Sequence, residues 1–178
     1  MPIDVVRRQD PEAVGAILAS VPEWFGIPEA NASYVEAAGR MPSYLAVDGD
    51  DVIGVALLEE HFSESRELHL IAVRRDRHRQ GAGRALLTAI EDDLRAAGVR
   101  ILEVHTAGPS SEDAGYALTR EFYLASGFVA MNELQRIDWN GPTLILVKPL
   151  WPSSRRRSRT TSGYRGCSTP TRTSCRRE

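Results

Sequence analysis

The sequence predicts a single α+β domain, built on a mixed central sheet of about seven strands with helices on both faces. Three observations point there. Short β-rich runs and segments of helical period follow one another in the order strand, two helices, three strands, helix, strand, helix, two strands. An Asp48-Gly49 pair separates two of the β-rich runs, the signature of a hairpin. A glycine turn, Gly81-Ala82-Gly83, joins an apolar strand to a long amphipathic helix. With 178 residues and 42% hydrophobic content the chain can bury one substantial core, expected over residues 1 to 150.

The elements follow from the residues in order. Ile3 to Val6 reads as a first strand, and Asp10-Pro11 as an N-cap with proline at the first helical position, opening a helix to about Val21. Pro22 to Gly26 breaks that helix, and a second covers Glu29 to Ala38. Ser43 to Val47 and Val52 to Leu58 form the two arms of the hairpin. Glu67 to Val73 alternates at first and then becomes continuously apolar, as suits a buried central strand. After the glycine turn, Ala85, Leu86, Leu87, Ile90 and Leu94 recur at helical spacing until Gly98 ends the run. Val99 to Val104 is a strand, a polar loop leads to a helix ending near Ser126-Gly127, and Phe128 to Met131 and Thr143 to Val147 are the last two strands.

From Trp151 the composition turns to Arg, Ser and Thr, with too little apolar surface to offset ordering, and residues 151 to 178 are expected to be a disordered tail. Eight of the 22 basic residues lie beyond Trp151 with one acid, which leaves 14 basic against 23 acidic residues in the body. An acidic body is ill suited to reading nucleic acid but attracts a cationic amine. No run is long and apolar enough for a membrane span, and Met1 to Asp4 does not resemble a secretory leader, so a cytoplasmic protein is expected. Cys167 and Cys175 both fall in the polar tail, which predicts neither a disulfide framework nor a metal centre.

A strand, two glycines and a helix N-terminus together make an anion site, because glycine lets the backbone approach and the unpaired N–H groups face the ligand. A Rossmann fingerprint is excluded by position, since this turn follows four predicted strands, and a P-loop by the lack of Lys-Ser or Lys-Thr after the glycines. The segment from Leu70 to Leu87, containing His78-Arg79-Gln80-Gly81-Ala82-Gly83-Arg84, resembles the acetyl-coenzyme A motif of the GNAT superfamily, Gln/Arg-X-X-Gly-X-Gly/Ala, with His78 in the first place. Arg120 to Phe128 is similar to that family's helix-to-strand segment ending in Gly-Phe, and the resemblance extends over about residues 3 to 150.

The resemblance implies an N-acetyltransferase that moves the acetyl group of acetyl-CoA to a primary amine, a small molecule in preference to a protein, by direct attack in a ternary complex. Main-chain amides from Arg79 through Gln80, Gly81, Ala82 and Gly83 to Arg84 would hold the pyrophosphate, and the strand at Ile71, Ala72 and Val73 would meet the thioester oxygen and the pantetheine. Tyr123 stands where the family carries a tyrosine that protonates the leaving sulfur, and Glu67 where some members carry a glutamate that deprotonates the amine through water. Alternation puts Glu67, His69 and Ile71 on one face, so His69 could relay or replace Glu67. Glu103 and His105 share a face of the next strand, but which face meets the cleft is not settled by the sequence, and they stay outside the catalytic set. Trp24 and Phe25, in the loop between the first helices, would cover the acceptor pocket, with Tyr34 and Tyr116 as further aromatic walls. Tyr116 takes a place where the family often has asparagine.

A non-catalytic acyl-CoA-binding or regulatory module is the alternative reading, in which Glu67 and Tyr123 are structural. No metal, nucleic acid or membrane is expected as a partner, and a homodimer is compatible with the sequence.

Overall fold

A computed structural model describes residues 3–150 except Glu112 and Asp138. The expected tail from 151 to 178 lies outside the described residues. The elements run β1 (Asp4–Arg7), α1 (Pro11–Ala19), α2 (Pro28–Ala38), β2 (Ser43–Asp48), β3 (Asp51–Phe62), β4 (Ser65–Val73), α3 (Ala82–Ala96), β5 (Ile101–Ala107), α4 (Ala114–Ala125), β6 (Val129–Gln135) and β7 (Pro142–Pro149). The strands form one sheet in the order β1-β2-β3-β4-β5-β7-β6. Every neighbouring pair is antiparallel except β4 and β5. This is the expected mixed α+β sheet.

Local chemistry sets the element ends. The Asp10 carboxylate accepts the Ala13 N–H at 3.0 Å, capping α1 with Pro11 in the first turn. Gly49, at φ 65°, makes the β2–β3 turn, and Gly98, at φ 80°, follows the end of α3. The helix after the glycine turn starts at Ala82, ahead of the apolar repeat that opens at Ala85, with Gly81 in the left-handed region as its N-cap.

Each face of the sheet carries its own core. On one, Leu86, Leu87, Ile90 and Leu94 of α3 and Tyr123 of α4 pack with Tyr44, Ile53, Leu58, Leu68, Leu102 and Leu146. On the other, Val14, Ile17 and Leu18 of α1 and Ala37 and Ala38 of α2 pack with Leu45, Val55, Leu57, Leu70 and Ala72. Burying each large aliphatic side chain contributes roughly 2 kcal/mol, so the apolar stripe of α3 outweighs any single polar contact.

The β3–β4 hairpin departs from regular alternation twice. Leu57 pairs with Leu70 and Leu58 with Leu68, which leaves His69 as the extra residue of a bulge on β4. Glu60 pairs with Arg66 and Phe62 with Ser65, which leaves His61 extra on β3. The first bulge overturns the alternation expected for β4. Leu68 faces the α3 side, but beyond His69 it is Ile71 and Val73 that pack there, while Leu70 and Ala72 turn to α1 and α2. Ile71 therefore does not share a face with Glu67.

A buried ion cluster ties α3 to the far end of the sheet. Glu91, 7% exposed, bonds the Lys148 ammonium of β7 and, at 2.6 Å, the Arg95 guanidinium; Lys148 also donates to the Ser126 carbonyl at 2.6 Å. Glu91→Ala should leave the Lys148 charge largely buried without its counter-ion and cost about 3 kcal/mol, read as a lower midpoint in urea denaturation.

Candidate active site

β4 and β5 pair over only three residues, Ser65 with Ile101, Arg66 with Leu102 and Glu67 with Glu103. Past this point they separate, and Leu68 to Val73 has a strand partner on the β3 side alone. Beyond Glu103, β5 pairs with β7 and its end is held by Arg120 of α4, which donates to the Ala107 carbonyl at 2.9 Å. The result is a cleft at the carboxyl ends of two parallel strands, with the peptide edge of β4 as one wall. Ile71, Ala72 and Val73 lie on that edge.

The chain leaving β4 leads directly into the glycine turn. His78 folds back so that its Nε2 lies 2.7 Å from the Val73 carbonyl, and Arg79 takes φ 62° and Gly81 φ 95°. A Cβ at Gly81 would meet nothing within 4 Å, so the space beside the turn is open. A Cβ at Gly83 would come 3.2 Å from the Phe122 ring of α4. That second glycine permits close packing of α3 on α4, a role the ligand-approach argument from sequence did not include. The first intrahelical bond of α3 runs from Ala85 N–H to the Gly81 carbonyl, leaving the amides of Ala82, Gly83 and Arg84 without a helical acceptor.

Five arginines lie between Arg74 and Arg84, and they divide into two groups. Arg74 pairs with Asp51 and Asp76 at 2.8 and 2.7 Å, Arg77 with Asp48 at 2.9 Å, and Arg75 with Glu23. These bonds fasten the loop to the β2–β3 turn and to the α1–α2 loop. Arg79 and Arg84, which flank the glycines, make no ion pair among the described residues. The turn thus offers free amides, open space and two unpaired cations, a combination that fits a diphosphate.

Across the cleft stand the aromatic residues. Trp24 lies edge-on to the His78 ring at 5.7 Å, and its main-chain carbonyl accepts the Tyr116 hydroxyl at 3.2 Å. Phe25 meets Tyr34 at 5.9 Å, and Tyr34 meets His69 at 5.3 Å, both edge to face. The Trp24 indole Nε1 is buried without a hydrogen-bond partner among the described residues. Tyr123 sits in the core between Phe122 and Phe128, each at 5.5 Å. Burial pushes its phenol far above the usual range, and the Tyr34 and Tyr116 hydroxyls nearby add to the shift. The phenol therefore carries its proton near neutral pH. Burial, first of all, also raises Tyr116.

Glu67 lies at the point where the strands part, its side chain 14% exposed. His69, with Nδ1 3.8 Å from Oε1, and His61, with Nε2 2.8 Å from Oε2, hold its carboxyl at about 2 against the burial that by itself raises it. The charge of His105 lowers it further. Glu67 is thus a fixed anion that orients imidazoles. His69 also lies 3.4 Å from Glu59, the residue paired with Glu67 across the hairpin.

The structure sets Trp24 beside His78 of the glycine turn and Tyr116 beside Trp24, and it links Phe25, Tyr34, His69 and Glu67 through successive contacts. It also adds Glu59, His61 and the Glu103–His105 pair, bonded at 2.8 Å. Glu103 and His105 could be placed only once the register of β5 against β4 was known. Glu59 and His61 could have been found from the hairpin, since two acids and two histidines at 59, 61, 67 and 69 lie symmetrically about its turn.

A family model, the acetyltransferase (GNAT) family, matches residues 16–128. A search of the curated proteins with the sequence finds no match. Among solved structures, a GNAT-family protein from Desulfovibrio desulfuricans superposes with a TM-score of 0.74 at 26% identity, covering 84% of this chain and 100% of that one. A GNAT acetyltransferase from Elizabethkingia anophelis with acetyl-CoA bound gives 0.65 at 17% identity, covering 83% and 97%. The ribosomal-protein-S18-alanine N-acetyltransferase of Escherichia coli gives 0.67 at 19%, covering 87% and 98%. No helix among the described residues is long and apolar enough to cross a membrane. With the family model spanning more than half of the chain, and with the parted strands and glycine turn in place, the chain belongs to the acetyltransferase (GNAT) family.

Proposed function

We propose that the protein transfers the acetyl group of acetyl-CoA to a primary amine of a small cationic molecule. The observation that carries this reading is the parting of β4 from β5 directly beside a diphosphate-binding turn. The open edge from Leu68 to Val73 can pair with an extended pantetheine as a strand would, and this directs the thioester toward Glu67. The coenzyme bound in the E. anophelis relative supports the same use here.

The acceptor enters between the aromatic walls and the carboxylates of Glu59 and Glu67, which attract its ammonium. His69 takes the ammonium proton, oriented by Glu59 and Glu67, which remain charged behind it. The freed amine attacks the thioester carbonyl carbon, and main-chain N–H groups at Ile71 to Val73 stabilise the oxygen as it gains charge. As the carbon–sulfur bond breaks, Tyr123 gives its proton to the departing thiolate, and the nitrogen releases the extra proton it carries after attack, which by way of solvent restores the tyrosine. The acetylated amine and free coenzyme A are the products. A small acceptor is favoured over a protein because the pocket is walled by Trp24, Phe25, Tyr34 and Tyr116.

Release of free thiol from acetyl-CoA over a panel of small amines and peptides tests the reading. Thiol formation with at least one small amine is expected; coenzyme binding without turnover on any acceptor would favour an acyl-CoA-binding module instead. Gly81→Val places a branched side chain in the open space of the turn, at a positive φ, and should weaken acetyl-CoA binding in calorimetry by at least about tenfold. Its circular dichroism should stay that of the wild type. Tyr123→Phe removes the proton donor and keeps the ring, so kcat should fall about 10²-fold while acetyl-CoA affinity holds. Unchanged kcat, measured where chemistry limits the rate, would return Tyr123 to a packing role.

A further inference from the structure

The β3–β4 hairpin gathers a donor set that acetyl transfer does not need. Ligand atoms of Glu59, His61 and Glu67 all lie within 4.8 Å of one another. The closest pair, His61 Nε2 and Glu67 Oε2, is 2.8 Å apart. A tetrahedral zinc site, with bonds of about 2.0 to 2.1 Å, sets its ligand atoms about 3.3 Å apart, a spacing that lies within that limit. His69 Nδ1 lies 3.4 Å from Glu59 Oε2 and 3.8 Å from Glu67 Oε1, beside both carboxylates. The three residues stand on two adjacent antiparallel strands, so their backbones are held rigidly, and the bulge at His61 sets its ring beside Glu67.

We propose that Glu59, His61 and Glu67 form a binding site for a divalent cation of the zinc class at the mouth of the acceptor cleft. The mixed imidazole and carboxylate set decides the class: calcium and magnesium prefer all-oxygen shells, whereas imidazole with carboxylate suits zinc, nickel or copper. Partial exposure of Glu59 and His61, at 39% and 40%, gives the ion a path in from solvent. Glu103 pairs with Glu67 across the strands, and its partner His105 adds its charge beside the site. Two carboxylates neutralise the dication. An ion held here ties up the Glu67 carboxylate, so metal and acceptor ammonium compete for one anion; the site itself exists whether or not the acetylation reading holds.

Calorimetric titration of the full chain with zinc chloride, paired with the visible absorption of cobalt(II) in its place, tests the site. The wild type should bind zinc, and cobalt should show the intense bands of a four-coordinate ion. His61→Ala and Glu59→Gln, both at the solvent end of the hairpin, should each lower zinc affinity at least about tenfold. Circular dichroism and acetyl-CoA binding of both variants should match the wild type and establish that they are folded. The double variant Cys167→Ser/Cys175→Ser should bind zinc as the wild type does. Absence of zinc binding by the wild type, undiminished affinity in folded His61→Ala and Glu59→Gln, or loss of binding with the two cysteines would each overturn the proposal.

Discussion

The pairing of β4 with β5 over three residues is the constraint on which the rest of the site depends. Parallel neighbours in a sheet ordinarily satisfy each other's peptide groups along their whole length. Here β5 turns to β7 after Glu103, and β4 keeps only β3, so a polar edge is left open inside the molecule. A buried edge of that kind costs free energy unless something pairs with it. The sheet tolerates it because both faces remain covered, by α3 and α4 on one side and α1 and α2 on the other. The glycine turn, the aromatic walls and Glu67 all acquire their positions from the wedge that opens there.

Charge is distributed around this wedge with a clear division of labour. Three arginines after β4 are consumed in ion pairs that fix the loop, and two flanking the glycines have no ion-pair partner among the described residues. The acids follow the same logic, with Asp48, Asp51, Asp76 and Glu23 engaged in fastening while Glu59 and Glu67 are turned to histidines at the cleft. Positive charge therefore concentrates at the glycine turn and negative charge where β4 parts from β5. A field of that form favours an anionic group at the first place and a cationic one at the second.

Much of the fold was legible because its signals are local. Asp10 with Pro11, Asp48 with Gly49, the apolar spacing from Leu86 to Leu94 and the break at Gly98 each depend on a few neighbouring residues, and each appears where expected. The glycine turn and Tyr123 were legible through family likeness, since neither spacing nor composition states what they bind. The bulges were not. Whether His61 or His69 is an extra residue depends on how two strands align over their full length, and a single inserted residue inverts every side chain beyond it. That is why Ile71 was assigned to the face of Glu67, and why the convergence of Glu59, His61, Glu67 and His69 could not be read from either strand alone.

The close fit of Gly83 against Phe122 links two positions far apart in the chain into one shared volume. A Cβ at 83 would require the phenyl ring to give way by a few tenths of an ångström. Substitutions at the two sites should therefore act together, an alanine at 83 costing less beside a smaller side chain at 122. Since Tyr123 follows Phe122 on α4 and packs against its ring, any such exchange of volume also bears on the depth at which the tyrosine stands, and so the second glycine of the turn and the buried phenol are mechanically linked.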